Sequence, residues 1–266
     1  MTETTTPNSL STAAAELSLD LIITCADGLE APLQIELSSF GIASEMKSTG
    51  RLAVTGSLRD LYTICLWSRV ASRVLMLIKR KNINTEYDVA EQLYGLAKSV
   101  NWTEQFGLEQ TFAIRLSVDK RVAVSQQFAM LRTKDAIADT FNEIYDSRPN
   151  VDSKNPDFSV FATVNDKQAE LYLDLSGTSL HRRGYRVAMT EAPLKENLAA
   201  ALLYSAGWHK KNDAGNAPFY NALIDPMCGS GTFIIEALLM HSDDAVGIDK
   251  TANQFGFYQW KHHDEA

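Results

Sequence analysis

The period of the apolar positions changes from segment to segment along the chain, and each change marks an element. LIITC at residues 21–25 is the short continuous apolar run of a buried strand, and residues 28–41 space their apolar positions as an amphipathic helix closed by a glycine. RLAVTG at 51–56 reads as a second short strand, LRDLYTICLWSRV at 58–70 as a helix, and RVLMLIKR at 73–80 as a strand with a basic exit. This order predicts helices layered on an antiparallel sheet. The pattern then repeats in kind. Residues 88–100 read as a helix, and TFAIRLSV at 111–118 as a strand with Phe112, Ile114 and Leu116 on one face. Residues 124–145 form a long helix on the spacing of Phe128, Leu131, Ala136, Ile137 and Phe141. After the turn-rich SRPNVDSKNPD, the alternating runs FSVFATV and AELYLDLSG flank NDK as a hairpin.

The register changes after Arg186. A helix is expected at about 194–204, stopped by Gly207, followed by the loop HKKNDAGNAP. NALIDPMCGSGTFIIEALLMH at 221–241 then reads as strand, turn and helix in immediate succession, the opening half of a parallel α/β unit. The first 18 residues, rich in Thr, Ser and Ala, read as a disordered lead-in. There is no internal repeat.

Composition narrows the classes. A chain of 266 residues suggests two compact units, one of which can be cut short. No stretch reaches the roughly 18 apolar residues of a membrane helix, and the start lacks the pattern of a signal peptide, so the expected compartment is the cytoplasm. Cys25, Cys65 and Cys228 lie far apart without C-x-x-C spacing, which indicates neither a disulfide framework nor a zinc site. The net charge of -8 argues against nucleic acid only superficially, because the two ends are acidic while the middle is slightly basic. Between Asp60 and Glu86 lie Arg69, Arg73, Lys79, Arg80 and Lys81 with no acid, and a second acid-free interval after Asp174 holds Arg182, Arg183 and Arg186. Either cluster alone is an ordinary solvated face; two in an acidic chain suggest a polyanionic partner.

The turn between Asp225 and Thr232 carries the most specific chemistry. A strand ending in a carboxylate, two glycines and a helix start place backbone N–H groups at the ligand-binding edge of an α/β sheet. No lysine follows Gly231, which excludes a phosphate loop, and Ile234 occupies the place where a dinucleotide fingerprint wants a small residue. A ligand with a sulfonium and an amino-acid group suits Asp225 better than a phosphate does.

DPMCGSGT at residues 225–232 resembles motif I of S-adenosylmethionine-dependent methyltransferases, in the form used by amino-methylating members. APLKENLAAALL at 192–203 resembles the helix that precedes that motif and walls the methionine end of the cofactor. LDLSGTSLHRRGYR, LWSRVASRV and NWTEQF extend the likeness over nearly the whole chain, to the bacterial 23S ribosomal RNA guanine-N2 methyltransferases that carry a THUMP domain. The resemblance implies an α+β RNA-binding part followed by the start of an α/β Rossmann-like methyltransferase domain. The expected divisions are a lead-in at 1–18, a ferredoxin-like segment at 19–59, a THUMP domain at 60–172 and the methyltransferase start at 187–266. It implies S-adenosylmethionine as cofactor, with Asp225, Pro226, Cys228, Gly229, Ser230, Gly231 and Thr232 at the turn and Lys195 and Glu196 bordering it. It also implies 23S rRNA, or the large ribosomal subunit precursor, as partner. The basic residues of both clusters would meet phosphates, with Trp67 and Tyr185 near enough to stack on bases.

One part of the family pattern is missing. Methylation of an exocyclic amine uses a [DN]-P-P-[YF] turn in that family, and this sequence has no Pro-Pro dipeptide, so no catalytic residue is assigned and the chain alone is expected to be inactive. VGID at 246–249 could be a second strand whose Asp249 holds ribose hydroxyls, yet FGFYQWKHHDEA resembles a stretch that precedes that strand in the family. His262, His263 and Asp264 read as a solvated terminus and no metal is expected. Two other readings stand beside this one: an RNA-binding module without catalysis, and a fragment of a DNA adenine-N6 methyltransferase.

Overall fold

The first strand, β1 (Leu19–Thr24), buries Leu19, Leu21 and Ile23 and opens a βαββαβ unit. In the computed structural model the described residues are 18–186, 193–211, 215 and 219–263, so nearly all of the expected lead-in lies outside them. Helix α1 (Glu30–Ser39) leads to the antiparallel pair β2 (Glu45–Ser48) and β3 (Arg51–Gly56). Helix α2 (Leu58–Trp67) follows, opened by a reciprocal capping box between Ser57 and Asp60, and then the ten-residue strand β4 (Arg73–Asn82). The strands lie in the order β2-β3-β1-β4, all antiparallel, which is a ferredoxin-like arrangement. The periodicity misses β2 because EMKS is an edge strand with every residue exposed and has no apolar face to alternate.

Strand β4 belongs to two units at once. Its other edge pairs with β7 (Gln168–Asp174), so the sheet continues as one seven-stranded surface, β2-β3-β1-β4-β7-β6-β5. The second half comprises α3 (Val89–Lys98), β5 (Phe112–Val118), α4 (Gln126–Tyr145) and β6 (Phe158–Val164). β5 and β6 run parallel, with α4 as the crossover, and β6 and β7 form the expected antiparallel hairpin. The core runs under the helices along one face of the sheet, with Trp102, Phe106, Phe112, Phe141 and Phe158 clustered at the β5–β6 end.

Three expectations need correction. Phe128 and Leu131 are nearly half exposed, because α4 turns Ala129, Thr133, Ala136, Ile137 and Phe141 inward and uses its small residues to approach the neighbouring elements closely. Residues 221–225 form no strand: the helices α5 (Glu196–Ser205) and α6 (Thr232–His241) pack on each other, but no described strand lies beside this segment to complete a ladder. Residues 246–249 form turns, so the second strand proposed for VGID is absent and Asp249 is exposed. The aromatic stretch beyond it folds back, burying Phe255, Phe257 and Trp260 against the main core. Gly177 and Gly256 make that return possible, since a Cβ at either would collide with the backbone of the opposing segment.

Candidate functional site

The glycine turn is shaped by backbone conformation. Gly229 and Gly231 have φ of 53° and 73°, the left-handed region where a side chain is strained, while a Cβ at either would meet nothing within 4 Å. The space beside both glycines is open. The Gly231 N–H donates to the Cys228 carbonyl at 2.7 Å and closes the turn. The Asp225 carboxylate accepts the Met227 N–H at 3.1 Å, and the Ser230 and Thr232 hydroxyls lie 3.2 Å apart. Pro226, Met227 and Cys228 are exposed. No side chain caps α6, whose N-cap is Gly231, so its first N–H groups present a positive edge suited to a carboxylate such as that of an amino-acid group. Residues and geometry therefore fit the methionine part of S-adenosylmethionine.

The start of α5 lies against this turn through one side chain. Lys195 occupies the N-cap and is exposed, whereas Glu196 is buried and accepts from Arg186 Nε and Nη2 at 3.2 and 3.0 Å. Arg186 also donates to the Leu194 carbonyl at 2.8 Å, to Ser230 Oγ at 3.3 Å and to Thr232 Oγ1 at 3.5 Å.

The basic clusters divide into two kinds. Lys79, Arg80, Lys81 and Arg182 face solvent; Lys79 Nζ caps the Ser99 carbonyl at 2.8 Å and Arg80 pairs with Glu170 at 3.0 Å. Arg69 and Arg183 are each only 4% exposed and are engaged inside the protein. Arg69 Nη2 donates to the carbonyls of Leu239 and Asp244 at 2.9 and 2.7 Å, which satisfies the carbonyl end of α6. Arg183 pairs with the fully buried Glu236 at 2.8 Å and donates to the Arg69 carbonyl at 2.6 Å. Arg73 pairs with Asp174 and also donates to the Gly177 carbonyl at 3.0 Å. The Tyr185 hydroxyl donates to Glu236 at 2.9 Å, and burial beside that carboxylate pushes its pKa up. Arg69, Arg183 and Tyr185 tie α6 to the sheet unit and Arg73 joins β4 to the end of β7, so none of them is free to meet a phosphate. Trp67 is half-buried at the end of α2.

Two acids that the sequence did not single out organise this junction. Glu36 of α1 accepts from Ser68 Oγ at 2.5 Å and from the Arg69 N–H at 2.7 Å, and burial raises its pKa. Glu236 of α6 accepts from Arg183 and Tyr185. Their signal was in the pattern: each is an acid at the buried spacing of an apolar helix, where an uncompensated charge is costly. Among the described residues no His, Cys, Asp and Glu group could hold a metal ion. His262 packs its ring on Trp260, while His263 shares a hydrogen bond of 2.8 Å with Tyr62, so the latter is less solvated than expected; Asp264 lies outside the described residues.

Comparison with known proteins adds the decisive observation. Residues 20–75 match the RlmL ferredoxin-like domain, 87–174 the THUMP domain, and 183–265 the RMKL-like methyltransferase domain. The chain is 90% identical over its full length to ribosomal RNA large subunit methyltransferase K/L of Psychrobacter arcticus, and 45% identical over 91% of its length to the Acinetobacter baumannii protein of the same name. The chain matches K/L proteins over nearly its whole length. It spans about a third of those relatives, 35% and 32% of their lengths respectively. Among solved structures, a predicted N6-adenine-specific DNA methylase from Listeria monocytogenes aligns with a TM-score of 0.77 at 28% identity, covering 94% of this chain and 61% of that one. A protein described as a methyltransferase and complexed with SAH aligns with a TM-score of 0.76 at 28% identity, covering 93% and 61%. The K/L matches and these neighbours agree with a fold that joins ferredoxin-like and THUMP domains to a methyltransferase domain.

Proposed function

We propose that this chain supplies the RNA-binding part and part of the cofactor site of an enzyme that methylates the exocyclic N2 amine of a guanine in 23S rRNA. The observation that carries the reading is the turn from Asp225 to Thr232, with open space at both glycines, seated at an uncapped helix start and following a ferredoxin-like and THUMP unit. S-adenosylmethionine supplies the electrophilic methyl group. On this reading Asp225, Pro226, Cys228, Gly229, Ser230, Gly231 and Thr232 hold it, with Lys195 at the border, and the α6 N–H groups receive its carboxylate. Lys79, Arg80, Lys81 and Arg182 are the solvent-facing members of the basic clusters, through which phosphates of the rRNA or large-subunit precursor would be met in the cytoplasm. The reacting base must leave its stack to reach such a site, and the [DN]-P-P-[YF] turn that would receive it is not in this sequence. The chain alone is therefore expected to bind but not to turn over.

Labelled methyl transfer from S-adenosylmethionine to unmodified 23S rRNA tests this. The chain is expected to give none and a protein of the relatives' full length to label guanine N2. Turnover by the chain alone would overturn the division of labour, and label on another position would overturn the guanine reading. The likeness to the Listeria protein favours adenine in DNA as a second reading. Competition between structured rRNA and duplex DNA for the chain separates the two, and preference for the duplex would reverse the substrate assignment.

A further inference from the structure

The segment from Arg183 to Arg186 leaves the sheet unit and runs past α6 without belonging to any helix or strand. Three of its residues reach α6 or its turn, at two levels. Arg183 and Tyr185 both hold Glu236, one turn along the helix from Thr232, and Arg186 reaches back to the glycine turn itself. The Arg186 guanidinium also holds Glu196 and the Leu194 carbonyl at the opening of α5. One planar group thus spans the two segments that the methyltransferase reading places around the cofactor.

We propose that Arg186 is a positioning residue for the cofactor turn, fixing Ser230 and Thr232 relative to the start of α5. This rests on the methyltransferase reading above and extends it to a residue whose charge suggested RNA. The physical need is clear from the turn. Two glycines at positive φ with open space beside them and no side-chain cap leave it with few contacts to set its position. An arginine fork supplies donors in fixed directions to both sides, which a lysine ammonium at one point does not. Without it, Glu196 loses its ion-pair partner, being only 8% exposed, and the turn is free to shift. Because Arg183 and Tyr185 anchor the same short segment, the RNA-binding unit sets the position of the turn through it.

The test compares the full 266-residue chain with Arg186→Ala and Arg186→Lys. Three quantities are read: labelled S-adenosylmethionine retained in equilibrium dialysis, hydrogen exchange of the amides at 226–235, and retention of an rRNA fragment on a filter. Arg186→Ala is expected to weaken S-adenosylmethionine binding by about tenfold and to speed exchange in the turn by a similar factor, with RNA retention unchanged; these are order-of-magnitude figures for the loss of a charged multi-donor contact. Arg186→Lys is expected to restore the melting temperature but only part of the cofactor affinity. If Arg186→Ala shows no cooperative melting, Arg186→Lys decides alone. Wild-type affinity together with wild-type exchange in the variants would overturn the proposal. Failure of the unmodified chain to retain S-adenosylmethionine would overturn the cofactor reading instead, and exchange in the turn then decides whether Arg186 positions it: unchanged exchange rejects the role and faster exchange upholds it.

Discussion

The sheet unit and the α5–α6 region reach order by different means. In the sheet unit, seven strands share one ladder and the aromatic residues Trp102, Phe106, Phe112, Phe141 and Phe158 are completely buried beneath the helices. In the α5–α6 region, Ile224 is 89% and Met227 90% exposed, Leu238 faces solvent, and no described strand runs beside residues 221–225. Its attachment is mixed: Ala201 and Tyr204 of α5 join the main core, while Arg69, Arg183 and Tyr185 grip α6 through polar contacts and Asn197 of α5 donates to Ser72 Oγ at 2.9 Å. An apolar core tolerates small changes of shape, whereas a buried ion network depends on every member being present. Helix α6, which carries the candidate cofactor turn, thus depends more on a few directional contacts than the sheet unit does, and its geometry is the more easily disturbed.

The largest expected effect follows from that difference. Glu236→Ala removes the partner of Arg183, whose side chain is 2% exposed, and leaves a buried guanidinium uncompensated. The cost is about 3–5 kcal/mol, read from the urea midpoint of unfolding. Proteolysis should cut first between the two regions, since the sheet core is untouched. Replacing both residues, with Arg183→Met and Glu236→Leu together, should recover most of the stability, because two desolvated charges vanish with their pairing. A loss below about 1 kcal/mol in the single variant would show that apolar packing holds α6 after all.

The same contrast explains what the sequence disclosed. Strands β1, β3, β4, β5, β6 and β7 and the helices of the sheet unit were legible because each has one apolar face and a turn signal at its end. Strand β2 was not, because an exposed edge strand is defined by its neighbour and has no pattern of its own. The turn in DPMCGSGT was legible because its two glycines have a conformational reason that any sequence must obey. The use of Arg69, Arg183 and Arg186 was not legible, since a basic residue looks the same whether it meets solvent, phosphate or a buried carboxylate. Only the acids Glu36 and Glu236, at apolar helix positions, carried a hint of partners inside the protein.

A second, smaller effect probes the seam between the regions by pH. Lys250 follows α6, rests over the Phe255 ring at 5.4 Å, and has its pKa pulled down to about 8 by burial. Cys65, Asp174, Arg73 and Arg183 are the titratable groups facing it. Burial penalises the charged amine in the folded state, so the unfolded chain holds the proton more tightly. The stability contribution of this group is present above its unfolded value of 10.5 and is lost as pH falls toward about 8. Lys250→Met keeps the apolar stem and removes the penalty. It should stabilise the chain by roughly 1–3 kcal/mol at pH 7, and the gain over the unmodified protein should shrink between pH 8 and 10.5. A gain that stays constant across that window would mean that Lys250 is solvated in the folded protein.

The smallest effect is expected where exposure is greatest, and it sharpens the comparison from the other side. Leu238 is 61% exposed on α6, so Leu238→Ser removes little buried area, and its effect on unfolding free energy should stay within about 0.5 kcal/mol. Phe106→Ala, at the centre of the stacked aromatic cluster in the sheet unit, should cost about 3–5 kcal/mol in the same assay. Leu238→Ser should also raise the concentration at which the chain stays monodisperse in light scattering, because exposed apolar patches drive association. If the serine variant instead loses more than about 1.5 kcal/mol, this helix face is packed in solution. The α5–α6 region would then have an apolar core of its own, and the polar grip of Arg69, Arg183 and Tyr185 would be secondary to it.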